Sequence, residues 1–289
     1  MGITFGCFRS ILKTEQNSRA TRWLTTGFPI SLLTISLCLA GCSISSDVQQ
    51  QLNTKVSLAG SRASVDGSVT TSAAGLASKM DFDQFGASDS NLTLGARVQL
   101  DHGPLRFIID RVESSNSGTD FYDGFFGGAN LPPDQYRLET ELASTRLLMA
   151  FPLLSPSPEK SLPLDLRLLA GFNLAEIRVA LQSIATPTTF SELDELAPIP
   201  VIGFESNLSI ATAWNLEGTF TILPLSEITE YDAQCVDNSL RLLWSPSSQW
   251  EAFIGARNHS LELDGLQAGN PTEIDLQLKL IEIGISHRF

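Results

Sequence analysis

Between Leu162 and Leu174 the chain alternates in character. Leu162, Leu164, Leu166, Leu168, Ala170, Phe172 and Leu174 share one parity. Asp165, Arg167, Gly171 and Asn173 share the other, together with the apolar Leu169. A period of two is the mark of a β-strand with two unlike faces. The same alternation sets Leu92, Leu94, Ala96, Val98 and Leu100 against Thr93, Gly95, Arg97 and Gln99. It returns at Leu208 and Ile210, and again at Leu216, Phe220 and Ile222. Extended along the chain, it predicts ten strands: 76–84, 91–100, 104–113, 135–152, 162–181, 200–213, 216–224, 237–245, 249–262 and 273–289. A convincing helical period appears nowhere beyond residue 42.

The segments between these strands alternate in length. Asp101-His102-Gly103, the turn at Trp214-Asn215 and Ser245-Pro246-Ser247-Ser248 are short, and 153–161 is moderate. The stretches 114–134, 182–199, 225–236 and 263–272 are longer. Short turns at one end and longer loops at the other are the habit of outer-membrane β-barrels. The expected fold is therefore all-β: an antiparallel up-and-down barrel of ten strands, with eight as the lower bound.

Ahead of the barrel, Arg9, Lys13, Arg19 and Arg22 precede an apolar run from Phe28 to Ala40. That run is too short to cross a bilayer as an ordinary helix, which takes about 20 apolar residues. A basic start, a short apolar core and a small-residue site make a secretory signal, with a retained anchor helix as the alternative. The run closes on Leu39-Ala40-Gly41-Cys42. This resembles the lipobox of bacterial lipoproteins, where the cysteine is acylated and becomes the mature N-terminus. The resemblance implies a signal peptide over 1–41 and a lipid on Cys42. It also implies the lipoprotein-processing machinery as a partner. Ser43, where an Asp would favour inner-membrane retention, leans the destination towards the outer membrane of a Gram-negative bacterium.

Residues 42–75 are rich in Ser, Ala, Gly and Gln, and read as a tether to a barrel domain over 76–289. A weak strand at Val56–Val69 is the alternative. A tether in the periplasmic leaflet then calls for an ascending strand before the descending 91–100, and Leu76–Gln84 is the segment available for it.

The far end reads Ile281, Ile283, Ile285, His287 and Phe289 on one parity. A closing alternating strand with a terminal Phe289 resembles the signal that the barrel-assembly machinery reads. Just upstream, Ile274, Leu276, Leu278 and Leu280 take the opposite parity. The phase flip at Leu280–Ile281 predicts a bulge or a change of environment.

Opposite the apolar positions fall Arg97, Arg106, Arg137, Glu139, Glu141, Arg167, Glu205, Glu217, Arg241, Glu251 and Arg257. In a narrow barrel such charges pair across the lumen and fill it, leaving little room for a channel. Alternation alone leaves open which face is inside. If the apolar face were inward, the chain would be a lipid-anchored soluble barrel holding an apolar ligand.

The net charge is −13, and the pI is near 4.6. That balance excludes a nucleic-acid footprint, which is basic. Cys7 and Cys38 lie in the leader and Cys42 in the lipobox, which leaves Cys235 alone in the mature chain. Three scattered His and no Cys/His cluster give no expectation of a metal or cofactor. The one catalytic candidate is His259, in Asn258-His259-Ser260 near the outer end of a strand. Rim His residues with a Ser or acid occur in lipid A deacylases and omptin-like proteases. Neighbouring residues on a strand point to opposite faces, so His259 and Ser260 do not make the pair. The expectation is an outer-membrane lipoprotein with a structural or envelope-interaction role, in contact with membrane lipids and without catalysis. The aromatic patch Phe121–Gly128 reads as a loop over the barrel mouth or as a partner contact.

Overall fold

The computed structural model describes residues 52–73, 76–154, 163–224, 232–267 and 270–289. The signal motif Leu39, Ala40, Gly41 and Cys42 lies outside them.

Among the described residues, eleven strands form one closed antiparallel sheet. They are β1 (Leu52–Ala73), β2 (Leu76–Asp81), β3 (Asn91–His102), β4 (Leu105–Phe126), β5 (Ala129–Leu154), β6 (Leu164–Ser183), β7 (Phe190–Ala211), β8 (Trp214–Ile222), β9 (Asp232–Trp244), β10 (Trp250–Gln267) and β11 (Asn270–Arg288). Each strand from β3 to β11 pairs with the next, and β11 closes the ring on β1. On its other edge β1 pairs with β3 along Leu52–Ala63 and with β2 along Ser68–Ala73. β2 and β3 therefore share one place in the ring, as the two halves of a single descending strand. Ten places result, the even number expected of a bacterial barrel.

The route to ten differs from the one the sequence suggests. The ascending first strand is Leu52–Ala73, in the stretch whose composition reads as tether. Leu76–Asp81 descends. Ser, Ala and Gly are weak strand formers alone, but pairing on both edges supplies what propensity lacks. The insert between β2 and β3 turns inward: Phe82, Phe85 and Ala87 are buried, and the Phe85 carbonyl accepts from Thr119 N–H at 2.9 Å.

Most of the long outer segments also prove to be strand. β4 and β5 run on to a hairpin at Gly127-Gly128, whose φ values of 55° and 82° match a type I′ turn. A register shift between Tyr122 and Gly124 bends this arm. Phe126 is buried at its tip. β6 reaches Ser183, β7 begins at Phe190, and β10 and β11 pair out to Gln267 and Asn270.

The barrel's polarity inverts along its axis. In the lower half the apolar side chains face out. Phe172 on β6 is 52% exposed and Ile283 on β11 is 68% exposed, while Asn173 and Glu282 beside them are buried. The even-numbered leucines of 162–174 that the structure describes thus share the outward parity, while Leu169, of the other parity, is buried. In the upper half the same ladders carry apolar residues inside. Ile274, Leu276, Leu278 and Leu280 are buried, whereas Glu273, Asp275 and Lys279 are exposed. β11 pairs without a break from Thr272 to Arg288 on β1 and throughout on β10. The phase flip at Leu280–Ile281 is therefore a change of surroundings, with no bulge.

The outward apolar run Leu164–Leu174 spans roughly 33 Å along the strand at ~3.3 Å per residue. With a tilt of ~40° that is about 25 Å of height, the apolar band of a transmembrane barrel. Trp214, Trp244, Trp250 and Phe289 are exposed at its lower edge, with the Trp214 and Trp244 rings 6.5 Å apart. The aromatic girdle is thus concentrated at that edge. The Phe289 N–H donates to Thr54 O at 2.9 Å, tying the chain's last residue into the wall.

Candidate functional site in the barrel lumen

The charges inside the lower half are neutralised in two tiers. In the lower tier, Arg97 Nη1 donates to Glu217 Oε1 at 2.7 Å, and Nη2 to Glu205 Oε1 at 2.9 Å. Arg106 bridges Glu205 and Asp101, each at 2.7 Å. Arg241 Nε donates to Glu282 Oε1 at 2.5 Å, with its guanidinium 5.0 Å from the centre of the Phe253 ring. Lys55 and Arg288 meet Glu251 near the lower mouth, and Arg167 pairs with Asp165 at 3.0 Å.

The upper tier is a quartet of two carboxylates and two guanidiniums. Arg146 clamps Asp110 through Nε at 3.0 Å and Nη2 at 2.5 Å, and reaches Asp237 through Nη1 at 2.9 Å. Arg257 donates to Asp237 Oδ2 from Nη2 at 2.6 Å and from Nε at 3.0 Å, and to Asp110 at 3.2 Å. All four side chains are at most 3% exposed. Such groups cannot stay charged away from water unless each finds an opposite partner. Two forked guanidiniums on two forked carboxylates satisfy that need.

Above the quartet, Ser144 donates to Asn173 at 2.8 Å, and the apolar interior begins there. Tyr136, Leu138, Leu181, Leu193, Leu261, Leu276 and Phe82 fill it. Burial raises the Tyr122 and Tyr136 phenols above their ordinary range and pushes the Cys235 thiol up to about 11. The cavity beside Arg97 and Arg241 is about 10 Å³, barely the room of one water. A vestibule of about 260 Å³ opens at the lower mouth, lined by Arg106, Glu217, Glu251 and Arg288 among others. Among the described residues, the ion-paired tiers and the apolar cluster above them plug the interior.

Of the expected lumen residues, Arg97, Arg106, Arg167, Glu205, Glu217, Arg241, Glu251 and Arg257 do face inward. Arg137, Glu139 and Glu141 do not. They sit on the outer face of upper β5, while Leu138 between them and Leu142 just beyond are buried. There the outside is water, so the apolar parity turns inward. Pattern reading overlooked Asp101, Asp110, Arg146, Asp237, Glu282 and Lys55. Asp110 shares parity with Arg106, which was the available signal. Asp237, paired with His259 across the ladder, gave none.

His259 is not at a rim. It is 1% exposed, enclosed by the wall, with Nδ1 3.1 Å from Asp237 Oδ2. Neither ring nitrogen makes a hydrogen bond of good geometry. Ser260 is on the opposite face of β10.

Fold and polarity together define the class: an outer-membrane-type β-barrel with a filled lumen. No protein-family model matches the chain, and no curated protein does. Among solved structures, it is similar to the outer membrane protease OmpT from Escherichia coli, with a TM-score of 0.56 and 12% identity over 82% of this chain and 97% of that one. The translocator domain of the autotransporter NalP from Neisseria meningitidis covers 90% of this chain and 98% of its own, at 11% identity and a TM-score of 0.38. Ail of Yersinia pestis covers 82% and 98%, at 9% identity and a TM-score of 0.32. Only the first superimposes closely enough to bear on the fold, and at that identity it speaks of the fold alone.

Proposed function

We propose that this chain is an outer-membrane lipoprotein, acylated at Cys42, whose body is a transmembrane barrel with a structural or envelope-interaction role and no catalysis. The observation that carries the reading is the inversion of polarity along the barrel axis, seen on β5, β6 and β11. An apolar band about 25 Å tall faces outward around a charged lumen, and above it the faces exchange. A soluble barrel holding an apolar ligand would need that band turned inward. A conducting channel would need a lumen free of the ion-paired plug.

The fold is shared with a protease, but the enclosed His259 is out of reach of a peptide. His259→Ala is expected to leave any peptide or lipid cleavage by membranes unchanged. Membrane insertion is tested by carbonate washing and by gel migration before and after boiling. The barrel should stay in the pellet and change mobility on heating, and release by carbonate overturns the reading. Palmitate labelling should be lost in Cys42→Ala, and labelling that survives removes the lipid anchor.

A further inference from the structure

We infer that a groove on the barrel's outer wall, at the upper edge of the apolar band, is a binding site for a phosphorylated glycolipid of the surrounding leaflet. This rests on the outer-membrane reading above. The groove has a volume of about 870 Å³ and lies across β1, β11, β10 and β9. Its floor is two adjacent rows of the ladder. The upper row is Ser64, Lys279, Asn258 and Asn238, paired in sequence across the four strands. The lower row is Arg62, Ile281, Ala256 and Leu240, also in register.

The rows differ in chemistry as the two parts of such a lipid do. Ile281 and Leu240 are 64% and 54% exposed, with the small Ala256 between them making the dip. An acyl chain fits against these side chains. The amides and hydroxyl of the upper row, with Gln277 bonded to Asn258 at 3.2 Å, offer donors and acceptors to sugar hydroxyls. Arg62 and Lys279 stand at the two rows' β1–β11 end. Arg62 Nε holds Ser90 Oγ at 2.7 Å, which leaves the rest of its fork for a phosphate. Lys279 meets Asp66 only at 3.7 Å, and both are about half exposed. Among the described residues that line the groove none is a carboxylate, Asp66 standing just beyond it beside Lys279. On a chain of net charge −13 this is a local reversal of sign, at the height where a lipid phosphate sits.

The test is native mass spectrometry of the full chain, purified in detergent and offered bis-phosphorylated lipid A, its dephosphorylated form, or phosphatidylglycerol. Lipid A should be retained over both others. Retention should fall about tenfold or more in Arg62→Gln/Lys279→Gln, with the heat-modifiable band intact. Arg178→Gln, on the outer face of β6, should retain lipid A as the wild type does. Equal retention of the three lipids, an unaffected double variant, or displacement by inorganic phosphate alone overturns the site. Loss of heat modifiability in the wild type would instead overturn the barrel reading.

Discussion

Replacing Asp237 by Asn removes one negative charge from the quartet and almost no volume. In the native lumen Asp237 answers both Arg146 and Arg257, at 2.9 and 2.6 Å, and its side chain is 1% exposed. The variant leaves two buried guanidiniums facing Asp110 alone. Breaking a buried pair by removing one partner costs about 3–5 kcal/mol, because the orphaned charge cannot reach water. A chain of this size shifts its midpoint by roughly 2–4 °C per kcal/mol, so the loss corresponds to roughly 6–20 °C. The assay is the temperature at which the folded gel band converts to the unfolded one in a fixed detergent. The second arm is Asp237→Asn/Arg257→Met. It removes the orphan and leaves Arg146 on Asp110, a closed pair held by two hydrogen bonds. If charge balance is what holds the lumen, the double variant melts well above the single one. A double variant no better than the single, or a single that melts with the wild type, refutes the argument.

Three further outcomes follow from the same geometry. A Cβ on Gly171 would come within 2.0 Å of the Leu147 carbonyl, whereas one on Gly60 meets nothing within 4 Å. Gly171→Ala should therefore cost about 1–3 kcal/mol and Gly60→Ala close to none, read as band-conversion temperatures. The Cys235 thiol, raised by burial from an ordinary 9.0 to about 11, holds roughly 100-fold less thiolate near neutrality than the same thiol exposed. Alkylation mapped to Cys235 by mass spectrometry should be negligible at pH 8 in the folded protein and rapid after unfolding; labelling of the native form argues against the closed core. The sign on stability follows: the unfolded thiol ionises first, so the fold loses stability as pH rises past about 9.0. Finally, Trp214, Trp244 and Trp250 at the lower edge of the band should be quenched more by spin labels near the headgroups than by labels deep in the chains. Equal quenching by both would displace that edge.

Much of the architecture was legible in alternation alone. Strand class came from the period of two, because side chains on a strand must take opposite faces. The antiparallel order and the even count came instead from the alternating lengths of the connections and from placing the tether and Phe289 at the same end. The outward leucines and the inward Arg97, Glu205, Glu217 and Arg241 could be paired off by parity. Failures cluster where one assumption broke, namely that a strand keeps one apolar face along its length. Arg137 and Glu139 were assigned to the lumen for this reason, and the phase flip at Leu280–Ile281 is the same effect read from the other side. β1 escaped notice because its serines, alanines and glycines pack only once two neighbouring strands flank them.

Sequence by itself determined the β class, the alternation along the strands other than β1 and the acidic balance. It also carries the motif Leu39-Ala40-Gly41-Cys42. Only the tertiary structure decided which parity faces the lumen at each height. That choice depends on whether lipid or water stands outside the wall, a property of position along the barrel axis. It also brought the neighbours Asp110 and Arg146 of β4 and β5 together with Asp237 and Arg257 of β9 and β10, a strand pair distant in the chain. Ring closure by β1 and β11 sets that convergence, and no local spacing records it.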